Sequence, residues 1–394
     1  MTGDATSGGV TTSRGFRASG VAAGLKTSGA SDVALVVNDG PELSAAAVLT
    51  RNRVRAAPVT WTERVVADGS LRAVVLNSGG ANACTGPGGS ADTAATAALV
   101  AKGLGCESDE IAVCSTGLIG VRLPMDRLTD GVQTAIDQLG TDGGRDAAAA
   151  IMTTDTCPKT ASATRSGVTV AGMAKGAGML APGLATMLSV ITTDAAVAPA
   201  TLDAALRTAT SLTFDRLDSD GCMSTNDSVV AMASGATGVM VGRDLDEQQF
   251  VALMTDVCRD LARQLLADAE GASKQIEITV MGAASETDAV TVARSVARSS
   301  LFKCAIHGED PNWGRVLAAV GTTDASFDPE SLAVVINGVA LAAAGAAVTE
   351  NPLIDLAGTR VSVEINLGAG EDQGWVWTND LTAAYVYENS AYSS

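Results

Sequence analysis

The sequence is poor in histidine, in aromatic residues and in positive charge, and each shortage excludes a class of structure or function. Only 3% of its residues are aromatic, so the cores must be packed by smaller apolar side chains. His307 is the single histidine among 394 residues, which excludes zinc sites built on two or more histidines. Lysine and arginine number 26 against 44 acidic residues, a net charge of −18 that gives no basic field for nucleic acid or an anionic membrane. We therefore expect no metal site, no nucleic-acid partner and no membrane partner.

Catalysis by a Ser-His-Asp triad is disfavoured for a related reason. Such a triad would have to use His307, and no G-x-S-x-G motif is present to supply its serine. His307 begins a segment rich in turn-forming residues that ends at Arg315, and we interpret this histidine as a structural residue. There is no P-loop, and no glycine-rich dinucleotide-binding fingerprint lies between a strand and a helix.

Cysteine spacing and the apolar runs indicate the compartment. The seven cysteines are scattered, odd in number and never spaced as C-x-x-C, which favours reduced and mostly buried thiols over a disulfide framework. The N-terminal residues lack the apolar core of a signal peptide. The apolar run 332–348 consists largely of Ala and Gly around Asn337 and Gly338, and it predicts a strand, a turn and a small-residue segment rather than a membrane span. We expect a cytoplasmic enzyme.

Short apolar runs alternate with helical stretches, which predicts an α/β or α+β protein. The expected strands are 33–37, 71–76, 111–114, 168–173, 187–192 and 276–280. The clearest helix runs from Asp246 to about Ala269, because apolar residues recur there at steps of three and four. Further helices are expected at 91–104, 131–139 and 288–299. A domain boundary is expected near 271–274, where the long helix ends before a new strand.

The stretch 176–193 carries no charge and is interrupted by three glycines and a proline. The pair Ala185-Thr186 lies in its middle. A threonine that follows a small residue in such a loop suggests a cleavage site, because cutting would free an amino-terminal threonine whose amine can act as base for its own hydroxyl. The alternative is a glycine-rich loop before a buried strand, and composition alone favours this alternative.

Three other polar segments are candidates for chemistry. Thr116 and Gly117 follow a predicted strand, where successive N–H groups can form an oxyanion hole or an ordinary turn. The segment 152–156 places three threonines around a carboxylate, a pattern that also caps helices and closes turns. Glu270 is expected at the C-terminus of the long helix, where the helix dipole disfavours a negative charge. Its presence there suggests either a cationic ligand or a salt bridge to Lys274.

Eight short motifs follow one another along the chain. They are N-x-G-x-A-N-A-x-T-G, S-T-G-x-I-G, M-T-T-D-T-x-P-K, K-G-x-G-M-x-x-P-x-x-A-T-M-L, S-T-N-D, E-G-A-x-K, D-P-N-W-G-R and D-L-T-x-x-Y-V-x-x-N. In this order they resemble the bifunctional ornithine acetyltransferase/glutamate N-acetyltransferase family of arginine biosynthesis. The resemblance runs from about Gly15 to Ser394, and it reverses the preference for an ordinary loop at 176–193.

The resemblance implies a precursor that cuts itself at the Ala185–Thr186 bond, giving an α chain of residues 1–185 and a β chain of residues 186–394. Thr186 would attack the carbonyl before it, and the freed amine, with an ordinary pKa of about 7.7–8.0, would serve as general base. Its hydroxyl would take the acetyl group from N-acetylornithine and pass it to glutamate in a ping-pong cycle. Acetyl-CoA remains open as a second donor, and no cofactor is implied.

The resemblance also implies a set of site residues. Thr116 and Gly117 match the oxyanion-hole pair of the family. The substrate-binding positions fall on Thr154, Lys175, Thr186, Glu270, Asn389 and Ser394. In this scheme Glu270 faces the δ-ammonium of ornithine and Lys175 faces the α-carboxylate. The chain departs from the family at 182–184, before the cut, and at its last residue, where threonine is frequent.

For the architecture, the resemblance implies an αββα-type sandwich domain over residues 1–274 and a smaller C-terminal α/β domain over residues 275–394. It also implies a heterotetramer of two α and two β chains. Two alternatives remain at this point. The first is a related self-processing aminopeptidase or amidase that uses an amino-terminal serine. The second is a binding protein for cationic amino acids that has lost catalysis. Thr186 disfavours both.

Overall fold

The computed structural model describes residues 8–181, 187–348 and 353–391. In these ranges the strands, in chain order, are β1 (Phe16–Val21), β2 (Val33–Asn38), β3 (Ser44–Leu49), β4 (Ala73–Ser78), β5 (Ile111–Thr116), β6 (Lys159–Arg165), β7 (Val168–Lys175), β8 (Leu188–Thr193), β9 (Ser228–Ala233), β10 (Gln275–Ala283), β11 (Ala333–Ile336), β12 (Val339–Ala343), β13 (Ala346–Ala347), β14 (Arg360–Asn366) and β15 (Asp372–Asn379). The helices are α1 (Ala57–Val65), α2 (Gly86–Leu104), α3 (Met125–Asp137), α4 (Gly144–Ala150), α5 (Pro199–Ser211), α6 (Glu247–Ala267), α7 (Glu286–Ala297), α8 (Ser300–His307), α9 (Trp313–Val320) and α10 (Ala383–Ala391). The predicted α/β class is confirmed.

Two sheets pack face to face between two layers of helices. Their strand orders are β1-β2-β4-β5 and β3-β9-β8-β7-β6. Because side chains alternate across a strand, Val74 of β4 and Val190 of β8 share the core between the sheets. Val75 of β4 points the other way, into a core with α2 and α3, and Ile191 of β8 points into a core with α5 and α6. The layers are helix, sheet, sheet, helix, as expected for an αββα sandwich.

The third sheet has a core of its own. Its strand order is β13-β12-β11-β14-β10-β15, and Ile278 of β10 packs with Val292 of α7 and Phe302 of α8. The sheet begins at Gln275, so we keep the division into domains 1–274 and 275–394 as a proposal. Hydrogen bonds join the two parts, including one from the Asp218 N–H to the carbonyl of Trp377 in β15 at 2.8 Å.

The apolar run 332–348 behaves as predicted. It forms β11, β12 and β13, and Asn337 and Gly338 make the first turn with φ values of +46° and +78°. Positive φ at both central residues is the requirement of a tight two-residue hairpin turn. Within the described ranges, no helix is both long enough and apolar enough to cross a membrane.

All seven cysteines are free thiols, as predicted, but the prediction that most of them are buried is wrong. Only Cys114 in β5 and Cys258 in α6 are buried. The exposed ones lie in loops or, for Cys304, in α8. The exposed set is Cys84, Cys157, Cys222 and Cys304.

Candidate active site

Thr116 and Gly117 lie at the end of β5, where the sequence predicted an oxyanion hole. Gly117 has a φ of +130°, a conformation that only glycine adopts without strain. A Cβ atom at this position would lie 2.5 Å from the backbone nitrogen of Gly80. That nitrogen donates to the Thr116 carbonyl at 3.0 Å. A glycine is therefore required, because the strand end is closed against a neighbouring backbone segment.

Buried polar side chains hold this strand end. Ser115 Oγ donates to Asn77 Oδ1 at 2.6 Å, and Asn77 Nδ2 donates to the Gly80 carbonyl at 3.0 Å. Asn226 Nδ2 donates to the Ser115 carbonyl at 2.9 Å. Because these groups are buried and satisfied by one another, they fix the backbone next to Thr116. Asn77 and Asn226 belong to motifs noted in the sequence, but the sequence assigned them no role.

Lys175 is a buried lysine beside the end of β5. It ends β7, its residue is 2% exposed, and its Nζ lies 3.3 Å from Thr116 Oγ1. Burial lowers the pKa of Lys175, while the carboxylates of Asp155, Asp227 and Glu270 act to raise it. An ammonium group in this position favours negative charge beside the end of β5.

Asp155 connects the threonine segment 152–156 to β7. Its Oδ1 accepts from Lys159 Nζ at 2.6 Å and from the Gly176 N–H at 2.7 Å. Lys159 is fully buried and also contacts Asp268 Oδ2 at 2.6 Å. Burial alone would raise the pKa of Asp155, but the charges of Lys175 and Lys159 outweigh it and hold the pKa at about 2. The carboxylate is therefore ionised at neutral pH and anchors the segment that carries Thr154.

Thr154 and Glu270, two of the predicted substrate residues, are in contact. Thr154 Oγ1 donates to Glu270 Oε1 at 2.6 Å. Glu270 is partly buried, and a Cβ atom added to Gly178 would lie 2.5 Å from its Oε2. Both residues line a cavity of about 640 Å³, which Asp268 and Glu388 also line. Asp268 is paired with Lys159 and Glu388 is exposed, so Glu270 is the carboxyl group of this cavity best placed to meet a cationic ligand.

The position expected for Glu270 at the end of the long helix is wrong. The long helix ends at Ala267, so Glu270 lies beyond the last turn, where the helix dipole has little effect. Its N–H instead donates to the Ala177 carbonyl at 3.0 Å, which ties it to the loop after β7. Lys274 does not pair with Glu270; its Nζ contacts Glu309 Oε1 at 3.2 Å.

Of the predicted site residues that the structure describes, Thr154 and Glu270 line this cavity, whereas Thr116, Gly117, Lys175 and Asn389 do not. Asn389 lies on α10 beside Glu388, but it is exposed and its Nδ2 donates to the Tyr385 carbonyl at 3.0 Å. The cleavage pair Ala185–Thr186 and the terminal Ser394 lie outside the described residues. Their roles therefore stay proposals.

The single histidine has the structural role that the sequence suggested. His307 Nδ1 lies 2.9 Å from Asp380 Oδ2. Asp380 Oδ1 also accepts from the backbone N–H groups of Ser273 and Lys274, at 2.9 and 2.8 Å. These contacts join α8, the segment after α6 and the end of β15.

The chain is similar to known proteins over almost its whole length. The ArgJ family model matches residues 17–394. The arginine biosynthesis bifunctional protein ArgJ of Thermobifida fusca is 60% identical over 385 residues, which cover 98% of this chain and 100% of the relative. The protein of the same description from Streptomyces coelicolor is 58% identical over 385 residues, with the same coverage. A crystal structure of ornithine acetyltransferase from Mycobacterium tuberculosis, complexed with ornithine, is 59% identical; it covers 44% of this chain and 94% of that chain, with a TM-score of 0.44.

Proposed function

The chain belongs to the ArgJ family of bifunctional arginine-biosynthesis proteins, and we propose that it moves an acetyl group from N-acetylornithine to glutamate through Thr186. The observation that carries the proposal is one connected set of contacts. Thr116 contacts Lys175, Asp155 contacts Gly176 directly after β7, and Thr154 contacts Glu270. These contacts lie next to residues 175–177, where the chain leaves β7. A second activity, acetyl transfer from acetyl-CoA to glutamate, fits the bifunctional description of the relatives.

The proposed reaction begins with the amine of Thr186. As the hydroxyl oxygen attacks the acetyl carbonyl of N-acetylornithine, the hydroxyl proton passes to that amine. The carbonyl oxygen becomes an oxyanion, which the Gly117 N–H and the Thr116 hydroxyl stabilise. Collapse of this intermediate breaks the bond between the acetyl carbon and nitrogen, and ornithine leaves with the proton held by the Thr186 ammonium. Glutamate then attacks acetyl-Thr186 by the same steps in reverse.

Lys175 prepares the Thr116 hydroxyl for this task. An ammonium group can only donate, so its contact with Thr116 Oγ1 uses an oxygen lone pair. The hydroxyl hydrogen of Thr116 stays free to be donated to the developing oxyanion. The buried positive charge also favours that oxyanion directly. Lys175 remains the candidate partner of the substrate α-carboxylate.

Glu270 is proposed to recognise the δ-ammonium of ornithine, and removing its charge tests this role. Glu270→Gln keeps an oxygen that can accept from Thr154, so the local structure should persist. Because a hydrogen bond between charged groups is lost, the KM for N-acetylornithine should rise by about 10-fold or more. Steady-state kinetics measures this change, with the acetyl-CoA reaction as an internal reference because it needs no ornithine.

Glu388→Gln is the matched control for this substitution. Glu388 lines the same cavity, but it is exposed and makes no contact with Thr154. The same loss of charge there should change the KM for N-acetylornithine by less than about 3-fold, since water screens exposed charges. An unchanged KM in Glu270→Gln, or an equal effect of the two variants, would remove Glu270 from ornithine recognition.

The function itself is tested with the purified chain. We expect ornithine to be released from N-acetylornithine in turnover amounts only when glutamate is present, because the acetyl group must leave Thr186 in each cycle. Without glutamate, a single burst of ornithine equal to the enzyme concentration is expected. Release of CoA from acetyl-CoA with glutamate tests the second activity. A protein that performs neither transfer would refute the proposal.

We also propose how the chains assemble and in which compartment the protein works. A heterotetramer of two α and two β chains, in the cytoplasm, remains our proposal for both. It follows from the family resemblance and from the proposed cut at the Ala185–Thr186 bond.

A further inference from the structure

Lys26 lies at the end of the sheet β1-β2-β4-β5 that carries the proposed oxyanion hole. It belongs to the loop 22–32, which joins β1 to β2. Because β2 is antiparallel to β4 and β4 is parallel to β5, this loop and the end of β5 share one end of the sheet. A Cβ atom on Gly79 would lie 3.1 Å from the Leu25 carbonyl carbon, and one on Gly117 would lie 2.7 Å from the Gly79 carbonyl carbon. The backbone of Gly79 is therefore close to both the loop and the oxyanion hole.

A buried carboxylate fixes the backbone of Lys26. Asp32 is 0% exposed, and its Oδ2 accepts from the N–H groups of Leu25 and Lys26 at 2.6 and 3.0 Å. Its Oδ1 accepts from the Ala23 N–H at 2.6 Å, and its carbonyl accepts from the Ser78 N–H at the end of β4 at 2.9 Å. Because both carboxylate oxygens bind backbone groups, Asp32 holds the loop against the strand end and forms no ion pair with the Lys26 side chain.

The side chain of Lys26 is half-buried and has hydrogen-bonding capacity to spare. Its Nζ donates to the Ser31 carbonyl at 2.7 Å, and no carboxylate in the described ranges forms an ion pair with it. An ammonium group has three donors, so this contact leaves donors for a ligand. Burial lowers the pKa of Lys26, and the carboxylates of Asp32 and Asp155 oppose this change. The charge of Lys175 lowers the pKa of Lys26 as well, so Lys26 lies within electrostatic range of the site.

The two amino acids of the proposed reaction differ in the charge of their side chains. Both carry the acetyl group on an α-amino nitrogen beside an α-carboxylate, which Lys175 is proposed to bind. The ornithine side chain ends in an ammonium group that Glu270 can hold, whereas the glutamate side chain ends in a carboxylate that Glu270 repels. Lys159 is fully buried and already paired with two carboxylates. The γ-carboxylate of glutamate therefore needs another positive partner, and Lys26 has the free donors.

We propose that Lys26 is a specificity-determining residue that binds the γ-carboxylate of glutamate in the second half of the reaction. The inference rests on the proposed function and adds the residue that recognises the acceptor. Glu270 and Lys26 would each bind the side chain of opposite charge, Glu270 that of ornithine and Lys26 that of glutamate. A single nucleophile could then serve two amino acids whose side chains carry opposite charges.

Lys26→Met tests this role, because it keeps an unbranched apolar side chain and removes the charge. We expect kcat/KM for glutamate to fall about 10-fold or more, since a hydrogen bond between charged groups is lost. The value for N-acetylornithine should stay within about 3-fold of wild type, because in a ping-pong cycle it reports only the half-reaction that forms acetyl-Thr186. The burst of ornithine without glutamate should also be unchanged. A merely structural role would lower both kcat/KM values together, and that result would overturn the inference.

Lys102→Met is the matched control. Lys102 is exposed in the last turn of α2, a helix that runs from the end of β4 back towards the start of β5, so it lies at the opposite end of the sheet. The same loss of charge there should leave both kcat/KM values within about 3-fold of wild type, since water screens an exposed charge. Equal losses of kcat/KM for glutamate in the two variants would mean that net charge, rather than contact with Lys26, controls the acceptor step.

Two further variants show whether the charge of Lys26 is what matters. Lys26→Arg keeps the charge and should recover most of the kcat/KM for glutamate that Lys26→Met loses. Lys26→Gln covers the case in which Lys26→Met does not fold, because its amide can still donate towards the Ser31 carbonyl. It should show the same selective loss for glutamate, and an unchanged value in folded Lys26→Gln would contradict the inference.

The acetyl donor separates glutamate from coenzyme A as the ligand of Lys26. With acetyl-CoA in place of N-acetylornithine, kcat/KM for glutamate should fall by the same factor in Lys26→Met, because the acceptor step is shared. A loss confined to kcat/KM for acetyl-CoA would assign Lys26 to the phosphates of that donor and refute the proposal. A wild-type protein that transfers no acetyl group refutes the proposed function, whereas an active wild type with an unaffected Lys26→Met refutes only the role of Lys26.

Discussion

Thr186→Ala is expected to remain a single chain of 39.4 kDa and to lose acetyl transfer completely. Without the hydroxyl, nothing attacks the carbonyl of Ala185, so the peptide bond stays intact. The same loss removes the nucleophile that would carry the acetyl group, and the amine that would serve as base is never freed. One substitution therefore abolishes both processing and catalysis.

A denaturing gel and the mass of each fragment measure the outcome for Thr186→Ala. Wild-type protein should give two fragments, residues 1–185 and residues 186–394. Thr186→Ser is the control, since it keeps a hydroxyl and should be cut and active at a reduced rate. Acetyl transfer by uncut Thr186→Ala protein would exclude Thr186 as the nucleophile, and a cut elsewhere in wild type would exclude the proposed bond.

Gly117→Ala is expected to lower kcat by about 10²–10³-fold, the effect of losing one oxyanion donor. The added Cβ would lie 2.5 Å from the Gly80 nitrogen and 2.7 Å from the Gly79 carbonyl carbon, so the backbone of Gly117 must move. Its φ of +130° adds strain for any side chain. The displaced N–H would no longer point to the oxyanion. Self-cleavage should slow as well, if the same N–H stabilises its tetrahedral intermediate.

Gly120→Ala provides a matched control for Gly117→Ala. Gly120 lies in the same loop with a φ of +83°, but a Cβ there would meet no atom within 4 Å. It carries the backbone strain of a positive φ without the collision, so a loss of about 1 kcal/mol in stability with kcat within about 3-fold is expected. The rates of acetyl transfer and of cleavage are compared for both variants. Equal losses would mean that strain in the loop, rather than the Gly117 donor, controls the rate.

Burial on both sheet faces explains why five strands of the two packed sheets could be predicted from the sequence. Strands β2, β4, β5, β7 and β8 are almost wholly buried, so they appear as continuous apolar runs. Strands β1, β3 and β6 were missed, because they lie at sheet edges, are partly exposed and contain Ser, Thr or Arg. Strand β9 was missed although it is buried, because its Ser and Ala residues weaken the apolar signal.

The site was predictable only in its local parts. A Thr-Gly pair after a strand is a local signal, and the structure places Thr116 and Gly117 at the end of β5. The contact between Thr154 and Glu270 joins residues 116 positions apart, and sequence pattern alone cannot provide it. The family resemblance supplied these residues, but not the reason for their positions.

The strand order of the second sheet determines how the protein can refold before and after the proposed cleavage. With a cut at Ala185–Thr186, strands β6, β7 and β3 would belong to the α chain, whereas β8 and β9 lie between β3 and β7 and would belong to the β chain. A cut at Ala185–Thr186 would leave two polypeptides that share one sheet, and the core between the two packed sheets would contain residues of both. The precursor can refold as one chain, but the processed protein would need two chains to meet again. Refolding would become a second-order process that slows on dilution. Cleavage would therefore make unfolding practically irreversible.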